Sequence, residues 1–273
     1  MKDAFFLCFG IGWHLVYDSP DMHPVLFELF GFKFYTFGAI VAAAFAVATF
    51  WGLHRARAKG ENDETYLEGI FWLIITSIVG ARLCYLVFFP GQFWGNPVGA
   101  LFSQGGLVWY GGMVGFIVAL FVFCKLRKLN VWRFGDVMGI PAALGLAIGR
   151  LGCLMAGCCY GAPCNLLWGI TYPHDHMTYP HAVHPTPVYE SLALVLVTGF
   201  LLWLEKNKKP QDGMIGWLFV VLYGVVRFII EYFRGDRLVW IESLNLSASQ
   251  TISLAGVLIG VGVILYLRRK LTH

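Results

Sequence analysis

The sequence predicts an all-α, polytopic integral membrane protein of seven transmembrane helices, N-terminus outside and C-terminus cytoplasmic. Three observations carry this prediction. Of 273 residues, 58% are hydrophobic and only 13% charged, with a mean hydropathy of +0.67, whereas soluble domains carry about 25% charged residues. Seven stretches approach the roughly 20 apolar residues needed to cross the hydrocarbon core of a bilayer. The basic residues gather at alternate ends of those stretches. Such a composition excludes an ordinary soluble globular protein, a disordered chain and a nucleic-acid-binding domain, so no nucleic-acid partner is expected.

Residues 1–33 form an N-terminal extension or interfacial segment. Ala4–Val16 is an apolar run behind Lys2, but it is too short to span and no A-x-A cleavage site follows it. Residues 34–273 form a single seven-helix domain. Its spans are Phe34–Leu53, Gly69–Phe89, Leu107–Cys124, Val137–Met155, Val188–Leu204, Gly213–Phe233 and Thr251–Leu267, with a long outer loop at about 156–187. None shows the period-2 alternation of a barrel strand, and open sheets cannot stand in lipid. The pairs Gly111/Gly115, Gly145/Gly149 and Gly256/Gly260 have the spacing of close helix contacts.

Charge placement sets the orientation. Arg55, Arg57 and Lys59 follow the first span; Lys125, Arg127, Lys128 and Arg133 the third; Lys206, Lys208 and Lys209 the fifth; Arg268, Arg269 and Lys270 the seventh. Thirteen of the 20 basic residues thus lie on one side, against Lys2, Lys33, Arg234 and Arg237 on the other. The positive-inside rule makes the crowded side cytoplasmic.

The remaining three, Arg82, Arg150 and Arg227, lie within spans, where an ionisable residue is a functional hypothesis by default. They sit about five to seven residues short of the outer ends of their spans, or roughly 8–10 Å below the boundary at 1.5 Å per residue. Glu231 lies at i+4 from Arg227 and can pair with it; Arg82 and Arg150 have no acidic residue within a turn or two of their own helix. Glu190, Trp109 and Tyr110 enter the same layer. Guanidinium forks match phosphate oxygens, so the expected ligand is a membrane-embedded anion, a phospholipid headgroup first.

Cys153, Cys158, Cys159 and Cys164 cluster at the outer end of the fourth span, followed by His174, His176, His181 and His184. The C-x4-C-C-x4-C spacing lacks the paired C-x2-C of structural zinc sites, and an oxidising outer face favours one disulfide over a metal. Free buried thiols are the third reading. No metal or cofactor is assigned. The histidines are candidate bases near neutral pH. G-x-S-x-G, P-loop, GxGxxG and H-E-x-x-H motifs are absent.

These residues resemble one family, the prolipoprotein diacylglyceryl transferases, over roughly 22–270. The opening Met22-His23-Pro24-Val25-Leu26-Phe27, with Tyr35-Thr36-Phe37-Gly38, is similar to the family's N-terminus. Gly80-Ala81-Arg82 resembles its second-span arginine, and Gly105 to Gly112 its G-G-x-x-x-H-G-G segment. Gly149-Arg150-Leu151-Gly152 through Gly161 resembles G-R-x-G-N-F-x-N-G-E-x-x-G. His184-Pro185 to Tyr189-Glu190 resembles H-P-x-x-x-Y-E, and Tyr223-Gly224 through Arg227, Glu231 and Arg234 resembles Y-G-x-x-R-x-x-x-E-x-x-R.

The resemblance implies transfer of the diacylglyceryl group of phosphatidylglycerol to the lipobox cysteine of a prolipoprotein signal peptide, in a bacterial inner membrane, with the active site facing the outer leaflet. It implies that Arg150 holds the lipid phosphate and that Arg227 stabilises the leaving phosphate or the thiolate. Arg82, Tyr223, Glu231, Gly161 and Glu190 support them. The chain departs from the pattern in places. Tyr110 stands at the usual histidine, a proposed base; Phe37 stands at a tyrosine; Cys153, Ala156 and Cys158 replace Asn, Asn and Glu. An unperturbed phenol, with a pKa near 10, is a weak base at pH 7, so either another group, His184 or Glu190, takes the thiol proton, or the arginines activate Tyr110, or the chain does something else.

Two other classes compete. A transporter or flippase for an anionic lipid or small anion would use the same arginines without chemistry, but no inverted repeat or matched pair of broken spans is visible. A thiol-redox enzyme would use Cys158, Cys159 and Cys164, although adjacent cysteines are not a C-x-x-C motif.

Overall fold

A computed structural model describes residues 25–29, 32–88, 109–174, 176–208, 210–237, 239–241, 243 and 245–269. Ala4–Val16 and the side chain of Tyr110 lie outside the described residues. The chain divides into two compact units, one holding residues 53–134 and the other residues 14–52 and 135–273.

Each expected span falls on a helix. In chain order these are α1 (Thr36–Ala58), α2 (Asp63–Phe88), α3 (Trp109–Leu126), α4 (Val131–Met155), α5 (Thr186–Lys208), α6 (Met214–Ile230) and α7 (Ala248–Arg269). Six are long and apolar enough to cross a membrane; the seventh, α3, is apolar over Gly111–Leu126 but shorter. Large apolar side chains face outward along them, with Phe50, Leu126 and Leu196 each more than 70% exposed. A surface of that kind suits acyl chains rather than water.

Two strand pairs depart from the all-helical expectation. β1 (Val25–Leu29) pairs antiparallel with β2 (Phe32–Tyr35), and β3 (Val239–Ile241) with β4 (Leu246–Ser247). Both lie outside the apolar helices, so the demand that a spanning segment satisfy its own backbone does not reach them.

In the unit holding 53–134, Asn62 caps α2 through its Oδ1, which accepts from Thr65 N–H at 3.1 Å, and Asn130 caps α4 through Trp132 N–H at 3.0 Å. These caps satisfy amides that have no intrahelical partner. Between α2 and α3 the backbones nearly touch: a Cβ on Gly80 would stand 2.5 Å from Gly111 O. The Gly111/Gly115 spacing therefore marks a real close contact. Gly260 is likewise crowded, by Val221, whereas Gly149 has open space around its Cα.

In the other unit, Ile140, Val197, Leu201 and Ile215 form a buried cluster that α4, α5 and α6 share. At the start of α6, buried Asp136 of α4 accepts from Gly213 N–H and Gly216 N–H, both at 2.7 Å. One helix thus caps another, and a carboxylate at a helix N-terminus also meets the positive end of its dipole. Ser247 and Gln250 open α7 with a reciprocal capping box: Ser247 N–H donates to Gln250 Oε1 at 3.0 Å, and Gln250 N–H to Ser247 Oγ at 3.2 Å.

Candidate active site

All of the following geometry lies within the unit of residues 14–52 and 135–273. Arg150, near the end of α4, has the acidic partner its own helix lacks. Its Nη2 lies 2.7 Å from Oε1 of Glu190, which stands near the start of α5. Tyr223 of α6 donates to the same oxygen at 3.3 Å. Glu190 is 2% exposed, and a buried carboxylate persists only when it is paired and hydrogen-bonded. Three helices therefore meet at one carboxylate.

A second charged group stands beside the first. Arg227 Nη2 pairs with Glu231 Oε2 at 2.7 Å and donates to Ser249 Oγ at 3.1 Å. Glu231 begins a short 3-10 turn, Glu231–Phe233, that ends α6. Its Oε1 accepts from Ser247 Oγ at 2.7 Å, so the serine that caps α7 also fixes this carboxylate. Arg234 lies 3.8 Å from Glu231 Oε2 and is held by Asp236 through two hydrogen bonds, the Nε donation measuring 2.7 Å. Desolvation would depress the Arg234 pKa, but Asp236, the Cys159 thiolate and Glu231 outweigh it and hold the guanidinium firmly charged. Arg227 Nη1 is buried and has no hydrogen-bond partner among the described residues. Tyr223 interacts electrostatically with Glu190, Arg150 and Arg227 together, which brings the two groups into one neighbourhood.

Arg150 also faces sulfur. Its Nη1 lies 3.9 Å from Cys153 Sγ and 3.8 Å from Cys159 Sγ. Hydrogen bonds from Cys153 and Cys158, then the charges of Arg234 and Arg150, hold the Cys159 thiol well below the usual thiol range against the cost of burial. Its hydrogen bonds with Cys153 and Cys159, together with burial, push Cys158 well above it. The described cysteines are all free thiols, so the disulfide reading is not realised among them.

The outer loop is tied to this site by backbone. Gly161 N–H donates to His184 O at 3.0 Å, Ala162 N–H to Phe233 O at 2.8 Å, and Gly235 N–H to Tyr160 O at 3.1 Å. A Cβ on Gly161 would collide with His184 Cβ and stand 2.5 Å from His184 O and 2.8 Å from Phe233 O. Only glycine fits a crossing this tight, so Gly161 acts as a backbone junction. His184 turns to an aromatic group: Nδ1 lies 3.3 Å from Tyr189 Oη, and the ring meets Phe233 edge-on at 5.5 Å between centroids. Tyr189 Oη also accepts from Trp168 Nε1 at 2.9 Å.

Of the residues singled out by sequence, the structure brings together Arg150, Glu190, Tyr223, Arg227 and Glu231, and sets Gly161 and His184 in the loop junction beside them. Arg82 belongs to the other unit, on α2, with its guanidinium 5.9 Å from the Tyr85 ring centroid. Tyr110 lies at the start of α3 in that unit. Sequence reasoning missed Ser247, Ser249 and the Arg234–Asp236 pair. The S-x-x-Q spacing of Ser247 and Gln250 at the mouth of an apolar run was the available signal.

The helices and outward apolar side chains define a multi-pass membrane protein, with arginine–glutamate pairs set among its helix ends. A model of the prolipoprotein diacylglyceryl transferase family matches residues 24–266. The phosphatidylglycerol–prolipoprotein diacylglyceryl transferase of Clostridium tetani is 34% identical over 243 residues, covering 89% of this chain and 96% of the relative. Those of Finegoldia magna and Idiomarina loihiensis are 33% and 30% identical, covering 91% and 93% of this chain and 96% of each relative. The chain belongs to the prolipoprotein diacylglyceryl transferase family and is a membrane transferase.

Proposed function

We infer that this chain transfers the diacylglyceryl group of phosphatidylglycerol to the lipobox cysteine thiol of a prolipoprotein, leaving a thioether and releasing glycerol phosphate, the first step of lipoprotein maturation. The observation that carries the chemistry is the pair of mostly buried guanidiniums, Arg150 and Arg227, both interacting with Tyr223, with Arg227 Nη1 lacking an acceptor among the described residues. A buried donor without a partner is rare in a folded protein. A phosphodiester oxygen is the acceptor it fits, and charge-assisted bonds of this kind are roughly twice as strong as neutral ones.

In this reading Arg227 holds a phosphate oxygen through Nη1, with Glu231 and Ser249 fixing the fork. Arg150, oriented by Glu190, faces the same phosphate. As the carbon–oxygen bond of the diacylglyceryl group breaks, the phosphate gains a negative charge. Fixed cations in a low-dielectric site stabilise that charge without reorganising. Glu190 is committed to Arg150 and Tyr223, and His184 Nδ1 to Tyr189, so both serve better as positioning residues than as bases. Arg82 keeps the supporting role, and Tyr110 the place of the candidate base, that the resemblance implies.

The basic clusters after α1, α3, α5 and α7 support seven spans with a cytoplasmic C-terminus. The site then opens toward the outer leaflet of the inner membrane, where the lipobox peptide arrives. The relatives reported above are named as transferases, and no observation favours the transporter reading.

The test supplies purified protein with phosphatidylglycerol vesicles and a lipobox peptide. A lipid-modified peptide and stoichiometric glycerol phosphate are expected, with loss of both in Arg150→Ala. Folded protein that forms neither product refutes the reading.

A further inference from the structure

We propose that Cys153, Cys158 and Cys159 hold a zinc ion through three thiolates, with the fourth position open to the incoming prolipoprotein thiol. The first half stands on this chain's geometry alone; the second rests on the transferase reading above.

The three Sγ atoms lie within 4.8 Å of one another. Zinc–sulfur bonds of about 2.3 Å in a tetrahedral site put neighbouring sulfurs about 3.8 Å apart, so small side-chain rotations close the set around an ion. The backbone is bent to make the sulfurs converge. Cys153 lies in the last turn of α4, then Gly157 and Cys159 turn the chain back with φ of 67° and 61°. Left-handed backbone is uncommon for a residue with a Cβ and persists only where the surroundings enforce it. Here two contacts do so. His176 Nε2, its ring stacked on Tyr172 at 4.3 Å, pairs with Gly157 O at 2.9 Å, and Thr186 Oγ1 donates to Cys159 O.

A second observation points to a ligand at the same place. Tyr172 is 2% exposed, its hydroxyl has no hydrogen-bond partner among the described residues, and it interacts electrostatically with all three thiols. A water or hydroxide carried by an ion held on these sulfurs gives that hydroxyl the acceptor it lacks. Charge agrees as well: three thiolates around a divalent ion leave one negative charge, which faces Arg150 Nη1. A disulfide engages two sulfurs and strands the third, whereas a thiophilic ion engages all of them. Copper(I) is satisfied by three thiolates; zinc takes a fourth ligand, and three protein ligands plus an open position is the pattern of a catalytic zinc site.

The open position answers the question left by Tyr110 standing where the resembled pattern has a histidine. Metal coordination deprotonates a thiol outright. The prolipoprotein thiol displaces the zinc-bound hydroxide, which takes the thiol proton and leaves as water. The resulting thiolate attacks the glyceryl carbon bonded to the phosphate ester oxygen. A carbon–sulfur bond forms, the carbon–oxygen bond breaks, and its electron pair leaves on glycerol phosphate beside Arg150 and Arg227. The thioether, a weak ligand, is then displaced by water, which restores the hydroxide by giving its proton to the departing phosphate or to solvent.

The experiment uses the full chain purified in detergent without chelator, with zinc counted by mass spectrometry. One zinc per chain is expected, falling at least tenfold in Cys153→Ser/Cys158→Ser/Cys159→Ser. Cys164→Ser keeps the zinc, and Cys158→His, which preserves a ligand, retains at least half. Absence of zinc, copper in its place, or a disulfide among the three cysteines overturns the site. In protein reloaded with cobalt(II), a cysteine lipobox peptide raises the sulfur-to-cobalt charge-transfer absorption by about one third, as three thiolates become four, and a serine peptide leaves it unchanged. No rise with the metal bound overturns the open position. A rise without lipid transfer counts against the transferase reading and leaves the site standing, so the two failures are distinguishable.

Discussion

Removing the charge of Glu190 while keeping its shape tests the centre of the site. Glu190→Gln preserves an acceptor for Arg150 and Tyr223 but leaves a mostly buried guanidinium without its counter-charge. The ion pair spans 2.7 Å, with the Glu190 side chain 3% exposed and that of Arg150 18%. At that distance and an effective dielectric of about 20, the gross attraction is about 6 kcal/mol. Desolvation offsets much of it, but orphaning one member of a buried pair costs about 3–5 kcal/mol. We take the low end, about 3 kcal/mol, because Gln still accepts a hydrogen bond; that lowers Tm by about 6–12 °C. The double variant Arg150→Gln/Glu190→Gln removes both charges and recovers at least half of the loss, since no uncompensated ion is left. Thermal unfolding in detergent measures all four proteins of the cycle. A single variant within 1 °C of the parent, or a double variant showing the sum of the two single losses, refutes the pairing as the element that joins α4 to α5.

Other consequences are open to the same preparation. Arg227→Lys keeps the charge but loses the fork that engages Glu231, Ser249 and the free Nη1 direction; glycerol phosphate release should fall about 100-fold, or about 2.7 kcal/mol, with Tm nearly unchanged, and activity within threefold of the parent refutes the role. Gly161→Ala forces a methyl into His184 and the Phe233 carbonyl, so a loss of about 3 kcal/mol is expected from denaturant or thermal unfolding; parent-like stability shows that the junction is looser than described. Gly111→Leu separates the backbones of α2 and α3, and limited proteolysis should then cut between them at least tenfold faster. Unchanged cleavage rules out that contact as the one holding the pair.

Much of this was legible before any coordinates. The spans are long apolar runs, and a helix in lipid must satisfy its own backbone, so Gly69–Phe89 or Thr251–Leu267 allows few other readings. Arg150 and Arg227 announced themselves by being charged where charge is costly. What stayed hidden was partnership across helices. Glu190 lies 40 positions from Arg150, and no periodicity links residues on different elements. Arg227 and Glu231 were readable because i+4 is a local relation; Ser249 was not. The cysteines mark the limit most clearly. Their spacing along the chain argued against a metal, yet two left-handed turns bring three sulfurs together, and backbone folded in that way leaves no mark in a count of intervening residues. The β-hairpins were missed because short two-stranded ribbons carry little alternation.

The cap that Asp136 places on α6 also sets a common origin for two helices. Asp136 holds Gly213 N–H, and from these two points the chain climbs 14 residues to Arg150 on α4 and 14 residues to Arg227 on α6. At 1.5 Å per residue both arginines lie about 21 Å along their helices from a shared zero. The two guanidiniums are therefore levelled by a carboxylate far from either of them, much as two uprights cut to one length stand level on one sill. Inserting a single residue in either helix between pin and arginine would lift that arginine by about 1.5 Å and swing it through about 100°, out of line with its counterpart while every contact at the cap stayed intact.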